Sequence, residues 1–270
     1  MTPGGVEPAP DEQVLAGGVA NRGRVVRSGP HVLRPSNPHT DSVHAFLRAV
    51  RAAGFDGVPA PVGVDDDGRE RLAFIEGDVA LPPYREWART DAALASAADL
   101  MARFHRAAAH YGTQGWWNTE IADPRGGPVV CHNDVCLENV VFRDGVAVGL
   151  IDFDLCAPGR PVYDVAQLAR MCVPIDDDES AALLGWEHQD RPGRLRLVCD
   201  SYGLDRPGRA ELLALLDDAM AHGGEFVKRH VDAGDPGFVL MWEWMGGQER
   251  WDRRKRWWAD ERLAFAHALA

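Results

Sequence analysis

Four polar side chains that can do chemistry lie close together in the middle of the 270-residue sequence. His132 precedes Asp134 by two positions, Asn139 follows five residues later, and Asp152 follows a valine-rich stretch. Carboxylate and amide oxygens are hard ligands, and a small number of them suits Mg²⁺ that is held jointly with nucleotide phosphates. Asn139 and Asp152 therefore indicate a magnesium–nucleotide site, with Asp134 in the loop just before it.

The stretch between Asn139 and Asp152 predicts a β-hairpin. Asp144-Gly145 stands between two valine-rich runs, and an Asp-Gly pair in that setting is a strong signal for a two-residue turn. With these residues as the turn, Asn139 lies opposite Leu150, and Asp152 is its diagonal neighbour. Because side chains two positions apart on a strand share a face, Asn139 and Asp152 should meet at the open end of the hairpin.

Residues 14–77 predict a small lobe built on an antiparallel sheet. Short apolar and β-branched runs within residues 14–34 flank glycine-containing turns, a pattern typical of adjacent strands. Apolar residues at helical spacing predict a helix over residues 41–53, and two further strands are expected at 59–64 and 71–75. This order of strands and helix is that of a lobe that covers a nucleotide.

The rest of the chain, residues 78–270, predicts a mainly helical lobe. Gly77 is expected to be the hinge between the lobes, and residues 1–13, which are rich in glycine, proline and acidic side chains, are expected to form a flexible tail. The periodicity of apolar residues predicts helices near 92–111, 164–172, 193–203, 207–231 and 248–269.

The segment His132-x-Asp134-x4-Asn139, followed by an Ile-Asp-Phe triplet centred on Asp152, resembles the catalytic and metal-binding loops of kinase-like phosphotransferases. The resemblance is closest to the aminoglycoside phosphotransferase and choline kinase family. It implies an α+β, two-lobed protein-kinase-like fold, with a small antiparallel-sheet N-terminal lobe and a mainly helical C-terminal lobe. It also implies that Asp134 accepts or orients the acceptor hydroxyl, that Asn139 and Asp152 hold Mg²⁺, and that ATP or GTP is the co-substrate.

Two departures separate the sequence from protein kinases. Asn133 stands where those enzymes have an arginine, and Asp154 stands where they have a glycine. Only seven residues, 155–161, lead to the helix that contains Asp164, so there is no long segment on which a protein substrate could dock. The resemblance therefore implies a small-molecule alcohol as acceptor, and it implies that Asp164 braces the catalytic loop.

The resemblance also implies a set of nucleotide contacts. The glycine-rich segment that contains Gly18 and Asn21 looks like the family's phosphate-covering turn, although an ordinary hairpin turn explains it nearly as well. Arg34 stands where the family places a basic residue over the phosphates, and backbone groups near Ile75 and Glu76 should contact the base of the nucleotide.

The expected partner of Arg34 is missing from the sequence. Protein kinases pair the corresponding residue with a glutamate of the following helix, but the helix predicted over residues 41–53 contains no glutamate. Asp41 and His44 are the nearest candidates, so the group that orients Arg34 is left open.

Acidic residues of the second lobe are candidates for acceptor binding. Asp176 and Asp177 belong to an acidic run over residues 176–179, and Glu243 lies in a tryptophan-rich stretch. Members of the resembled family that phosphorylate cationic antibiotics line this region with carboxylates, which pair with ammonium groups. A solvated surface loop explains the acidic run equally well.

Composition excludes some classes of protein and suggests a compartment. The formal net charge of −12 argues against a nucleic-acid partner, because phosphate binding needs a basic surface. The five cysteines form no CxxC pair, which fits free thiols in a reducing cytoplasm, and no apolar run is long enough to span a membrane. His105 and His110 are five residues apart, which is the wrong spacing for two metal ligands on one helical face, and they are expected at a surface or an interface.

The predicted function is a nucleoside-triphosphate-dependent O-phosphotransferase that acts on a hydroxyl group of a small molecule, such as an aminoglycoside-like or other antibiotic. One alternative is a metabolic kinase for choline, homoserine or a sugar. Another is a catalytically inactive nucleotide-binding scaffold. The missing helix glutamate favours the scaffold, and the intact set of Asp134, Asn139 and Asp152 favours an enzyme.

Overall fold

The first part of the fold is an antiparallel sheet with one helix beside it. The structure, a computed structural model, describes residues 12–15, 23–186, 189–222 and 224–270. The strands of this sheet are β1 (Glu12–Val14), β2 (Val26–Ser28), β3 (His31–Pro35), β4 (Pro61–Val64) and β5 (Arg69–Ala73), and their spatial order is β1-β2-β3-β5-β4. Helix α1 (Thr40–Ala52) connects β3 to β4 and buries the four apolar side chains that predicted it: Val43, Phe46, Leu47 and Val50.

The sheet begins earlier in the chain than the sequence indicated. Glu12 and Gln13, which were assigned to a flexible tail over residues 1–13, lie in β1 and pair with β2. Arg69 of β5 donates a hydrogen bond of 2.8 Å to the Glu12 carboxylate, so this charge is anchored to the sheet. The tail prediction is therefore wrong for these two residues, and the rest of that segment lies outside the described residues.

The remainder of the chain is mainly helical, with two short pairs of strands. Its elements are α2 (Asp91–Ala108), β6 (Val129–Cys131), β7 (Val140–Arg143), β8 (Val146–Leu150), β9 (Ala157–Gly159), α3 (Pro161–Cys172), α4 (Asp178–Leu183), α5 (Arg191–Tyr202), α6 (Arg206–His222), α7 (Glu225–Asp232), α8 (Pro236–Trp244) and α9 (Gly247–Leu269). The single helix predicted over 207–231 is two helices, α6 and α7. None of the helices in the described ranges is long and apolar enough to cross a membrane.

An aromatic cluster joins α1 to the core of the helical part. Phe46 of α1 contacts Phe104 of α2 edge to face at 6.0 Å and Phe153 at 6.4 Å between ring centroids. Phe153 also packs against the His132 ring at 4.6 Å. Because all four side chains are buried, the residues on either side of Phe153 and His132 are held firmly in place.

Gly77 connects the sheet to the hairpin. Asp78 and Phe142 exchange two backbone hydrogen bonds of 2.8 Å directly after it, and its φ of +146° lies in a region that favours glycine. A Cβ atom at Gly77 would lie 2.4 Å from the carbonyl oxygen of Phe142. The expected hinge position is therefore a place where only glycine lets the two backbones come this close.

The hairpin forms as predicted, but its register differs by one residue. Asp144 and Gly145 form the turn with positive φ angles of 53° and 76°. The register shifts between Val141 and Phe142 because β8 contains an extra residue, so Leu150 pairs with Val140 and not with Asn139. The predicted register is wrong because a bulge cannot be derived from the turn alone.

Candidate active site

Asp164 of α3 holds the loop that carries Asp134. Its two carboxylate oxygens accept hydrogen bonds from the backbone nitrogens of His132 at 2.7 Å and Asn133 at 2.8 Å. Asn133 has a positive φ of 66°, a conformation that asparagine tolerates better than most residues. The loop therefore takes its shape from a buried carboxylate, which is the bracing role that the family resemblance implied for Asp164.

His105 completes this network from α2. Its Nε2 lies 3.0 Å from Asp164, and its Nδ1 lies 2.7 Å from the Tyr202 hydroxyl. Burial alone would raise the pKa of Asp164, but hydrogen bonds from the His105 ring and from the backbone nitrogen of His132 hold it below its usual range. The expectation that His105 lies at a surface or an interface is wrong, because its ring is needed to satisfy a buried carboxylate.

His132 links the loop to the end of the hairpin. Its Nε2 lies 2.9 Å from the Ile151 carbonyl oxygen, which can only accept, so Nε2 carries the proton. Its Nδ1 then accepts a hydrogen bond of 3.3 Å from the backbone nitrogen of Asp134. With both nitrogens engaged, His132 positions the backbone on either side of the site, which is the structural role expected for it.

The Asp134 carboxylate faces the cleft beside Asn139. The Asn139 amide nitrogen donates to the Asp134 backbone oxygen at 2.8 Å and to its carboxylate at 3.0 Å. Burial raises the pKa of Asp134, the charge of Asp152 adds to this rise, and the hydrogen bond from Asn139 opposes it. A half-buried carboxylate with a raised pKa is better able to take a proton from a hydroxyl group than a fully solvated one.

Asp152 follows the hairpin in an unusual backbone conformation. Its φ is +65°, and a non-glycine residue in this region is held there by its surroundings. Its carboxylate is 37% exposed and accepts a hydrogen bond of 2.7 Å from Arg34 through Oδ1. Because the Asn139 nitrogen is turned to Asp134, the Asn139 Oδ1 and the Asp152 carboxylate remain as oxygen donors that fit a hard cation such as Mg²⁺.

Arg34 is oriented by a glutamate of the neighbouring strand. Its Nε donates to Glu70 of β5 at 2.6 Å, and its two terminal nitrogens donate to Asp152 and Asp154 at 2.7 Å. His44 of α1 lies 2.8 Å from the second Glu70 oxygen. Sequence reasoning missed Glu70, although the partner could have been found by pairing the two strands, since Arg34 and Glu70 face each other in the register.

The other residues expected at the nucleotide differ in their placement. Ile75 and Gly77 line the cleft. The Glu76 side chain is 67% exposed and pairs with Arg27, and its carbonyl oxygen accepts a hydrogen bond from Arg143. Gly18 and Asn21 lie outside the described residues. The cleft has a volume of about 2280 Å³ and extends from Arg34 past Asp134 to the C-terminal helices.

The acidic residues expected at the acceptor are already paired or face away. Asp176 lines the cleft, is buried, and forms an ion pair with Arg250 of α9. Asp177 caps α4 through Ser180 and lies 3.3 Å from Arg253. Glu243 is exposed on α8 and does not line the cleft. Of these three residues, Asp176 alone lines the cleft, and its carboxylate is already paired with Arg250.

The segment that contains Asp134, Asn139 and Asp152 lies within a stretch that matches a known protein family. Residues 113–198, which contain this whole segment, match the model of the phosphotransferase enzyme family (APH). A trifolitoxin immunity protein of Rhizobium leguminosarum bv. trifolii is 33% identical over 209 residues, which are 74% of this chain and 77% of that protein.

Two solved structures share the fold over most of their length. A choline/ethanolamine kinase family protein of Mesorhizobium loti superposes with a TM-score of 0.61 at 15% identity, over 96% of this chain and 92% of that one. The amicoumacin kinase hAmiN in complex with AMP-PNP, Ca²⁺ and Ami superposes with a TM-score of 0.57 at 13% identity, over 90% and 89%. The chain therefore belongs to the phosphotransferase enzyme family and is a small-molecule kinase with the two-lobed, kinase-like α+β fold expected from its sequence.

Proposed function

We propose that this chain transfers the terminal phosphoryl group of ATP or GTP to a hydroxyl group of a small molecule, with Asp134 as the base. The observation that carries the proposal is the position of Asp134, which Asn139 and the Asp164-braced loop hold at the cleft wall. The hydroxyl oxygen forms a bond to the γ-phosphorus, the bond from the γ-phosphorus to the leaving nucleoside diphosphate breaks, and Asp134 takes the hydroxyl proton.

Asn139 and Asp152 would hold Mg²⁺, because they supply an amide oxygen and a carboxylate at the same end of the hairpin. The ion would neutralise charge on the phosphates of the nucleotide. Arg34 lies beside Asp152, and its guanidinium is fixed in direction by Glu70. These residues then orient the donor phosphates before the acceptor arrives, which contributes most of the catalysis when the transition state is loose.

The nucleotide and the acceptor would bind to different lobes that border the same cleft. We assign the nucleotide to the lobe of residues 14–77, with backbone contacts near Ile75, and the acceptor to the lobe of residues 78–270. The short connection from Asp154 to α3 favours a small acceptor over a protein. Five buried free cysteines fit a reducing compartment such as the cytoplasm.

An antibiotic is the acceptor class that we favour. The relative found by sequence is an immunity protein, which suggests self-protection against a toxin. The alternative acceptors are metabolic alcohols such as choline, homoserine or a sugar. The inactive-scaffold alternative is disfavoured, because the role of the missing helix glutamate is taken by Glu70.

The experiment is an acceptor screen read by mass spectrometry. The chain is incubated with Mg·ATP or Mg·GTP and a panel of antibiotics and metabolic alcohols, and each product is examined for the mass of one added phosphoryl group. Asp134→Ala serves as the matched control. Phosphorylation by the wild type that the control lacks supports the proposal, and a product formed equally by both proteins contradicts it.

A further inference from the structure

Arg170 is a cation of the cleft that forms no ion pair with any of the described residues. It lies on α3, lines the cleft together with Asp134, and donates from Nε and Nη2 to the side-chain oxygen of Gln167 at 3.2 and 3.1 Å. Within the described residues, no carboxylate lies within 4.0 Å of its guanidinium, and no hydrogen bond involves its Nη1. Gln167 thus fixes the direction of the guanidinium and leaves donors for another group.

Several charged groups of the cleft act on Arg170. Burial lowers its pKa, the charges of Asp134 and Asp176 oppose this, and the charge of Arg250 adds to it. The carboxylates at the expected nucleotide position, Asp152 and Asp154, are instead bound to Arg34. Arg170 lines the cleft together with Asp134 and with Arg250 and Arg254 of α9.

Two further arginines of α9 add positive charge there. Arg250 and Arg254 both approach Asp176, the second at 3.9 Å, so one carboxylate serves two guanidinium groups. The Arg250 Nε is buried and has no hydrogen-bond partner among the described residues. Burial lowers the pKa of Arg254 to about 9, so it is still charged at neutral pH. The part of the cleft wall that is formed by Arg170, Arg250, Arg254 and Asp176 therefore has more positive than negative charge.

The other acidic residues that line the cleft differ in their surroundings. Glu138 is half-buried and accepts a hydrogen bond of 3.0 Å from the Tyr84 hydroxyl, and burial raises its pKa. Asp218 and Glu225 line the cleft but are exposed to solvent, where charges are screened. Glu120 lies 3.1 Å from His230. Arg170 thus offers a guanidinium that forms no ion pair within the described residues, and its planar fork matches a carboxylate or a phosphate.

We propose that the acceptor carries an anionic group, a carboxylate or a phosphate, which Arg170 binds while the acceptor hydroxyl lies at Asp134. This inference rests on the proposed function and replaces the expectation of a cationic acceptor. Arg250 and Arg254 strengthen the positive potential around the anion. An acceptor held at both its anionic group and its hydroxyl would be oriented for transfer.

Inorganic phosphate is the probe that tests this site without knowledge of the acceptor. The protein is saturated with Mg·AMP-PNP, which fills the position of the transferring group, and phosphate binding is followed by the fluorescence of Trp242 and Trp244, which line the cleft. We expect saturable binding to the wild type and a loss of about tenfold to a hundredfold in affinity for Arg170→Gln. Arg170→Lys should retain part of the affinity, because the charge remains.

The control is Arg103→Gln, which removes an exposed arginine of α2 that pairs with Asp99. It should bind phosphate as the wild type does, and a thermal melt of each variant confirms folding. Equal phosphate affinity in wild type and Arg170→Gln overturns the inference. Binding that is seen with Mg·ADP but abolished by Mg·AMP-PNP also overturns it, since Arg170 would then serve the transferring phosphoryl group.

A turnover assay distinguishes this inference from the proposed function. Hydroxy acids are compared with their carboxamides as acceptors for wild type and Arg170→Gln, and nucleotide affinity is measured on the same samples. A preference for the acids that acts through KM and disappears in the variant supports the inference. Phosphorylation of the amides alone overturns it and leaves the phosphotransfer proposal standing, whereas failure to bind nucleotide counts against the phosphotransfer proposal itself.

Discussion

Arg34 of β3 and Glu70 of β5 face each other across neighbouring strands, with 2.6 Å between Nε and the carboxylate oxygen. Both side chains are almost completely buried, and His44 of α1 holds the second Glu70 oxygen at 2.8 Å. The ion pair that protein kinases form between a strand and a helix is thus formed within the sheet. The helix contributes a histidine that holds the glutamate in place.

Glu70→Gln is expected to weaken the binding of Mg·ATP about tenfold. The substitution removes the charge that fixes Arg34, and a charge-assisted hydrogen bond contributes about 1.5–3 kcal/mol. The measurement is calorimetric titration with the nucleotide. Asp65→Asn is the control, because Asp65 forms a comparable ion pair with Arg71 of the same sheet and does not line the cleft. A loss of affinity that is equal in both variants would assign the effect to the sheet and not to Arg34.

Asp152→Asn is expected to weaken Mg·nucleotide binding and turnover more than Asn139→Ala does. The first substitution removes a negative charge from the proposed metal site, and the second removes a neutral oxygen. The measurement is turnover against magnesium concentration, in which Asn139→Ala should need more Mg²⁺ to reach its plateau. Wild-type magnesium dependence in Asp152→Asn would show that the assignment of the metal is wrong.

Asp164→Asn is expected to lower the free energy of unfolding by about 2–4 kcal/mol at neutral pH, since the buried carboxylate accepts several charge-assisted hydrogen bonds. The pKa of Asp164 is lower in the folded state than in the unfolded state. Its contribution to the free energy of unfolding is therefore complete above its pKa in the unfolded state, about 3.9. This contribution is lost as the pH falls through its pKa in the folded state. Urea titrations from pH 7 to pH 3 should show the two proteins converging in acid, and a gap that does not narrow would contradict the assignment.

Asp176→Asn is expected to destabilise the fold, which a thermal melt of the variant measures. It leaves Arg250 and Arg254 without their carboxylate, and breaking a buried pair costs about 3–5 kcal/mol. Asp178→Asn is the control, because the Asp178 side chain is 88% exposed and such a pair with Arg191 contributes about 1 kcal/mol or less. Unchanged thermal stability in Asp176→Asn would show that this carboxylate is available for a ligand.

Local patterns predicted the fold and the catalytic segment well. The spacing of apolar residues predicted α1, because its buried face is continuous, and Asp144-Gly145 predicted the hairpin turn. Asp134, Asn139 and Asp152 could be proposed as one site because they are close together in the sequence. Each of these features is determined by residues that are neighbours in the chain.

Features that depend on long-range packing were missed. Glu70 is 36 residues from Arg34, so its role appears only when β3 and β5 are paired. Asp176 was expected to face a cationic acceptor, but α9 brings Arg250 to it from 74 residues away. His105 gave no sign of burial, because its partner Asp164 comes from another helix. Charge runs in the sequence do not reveal which charges are already paired.

The central claim is that Asp134 acts on the acceptor hydroxyl while other groups hold the nucleotide. The most direct measurement compares kcat and the affinity for Mg·ATP in wild type and Asp134→Ala, with an acceptor identified by the screen and Asp144→Asn in the hairpin turn as control. We expect kcat of Asp134→Ala to fall by about 10²–10⁴-fold while the nucleotide affinity stays close to that of the wild type. Near-normal turnover in Asp134→Ala would contradict the account.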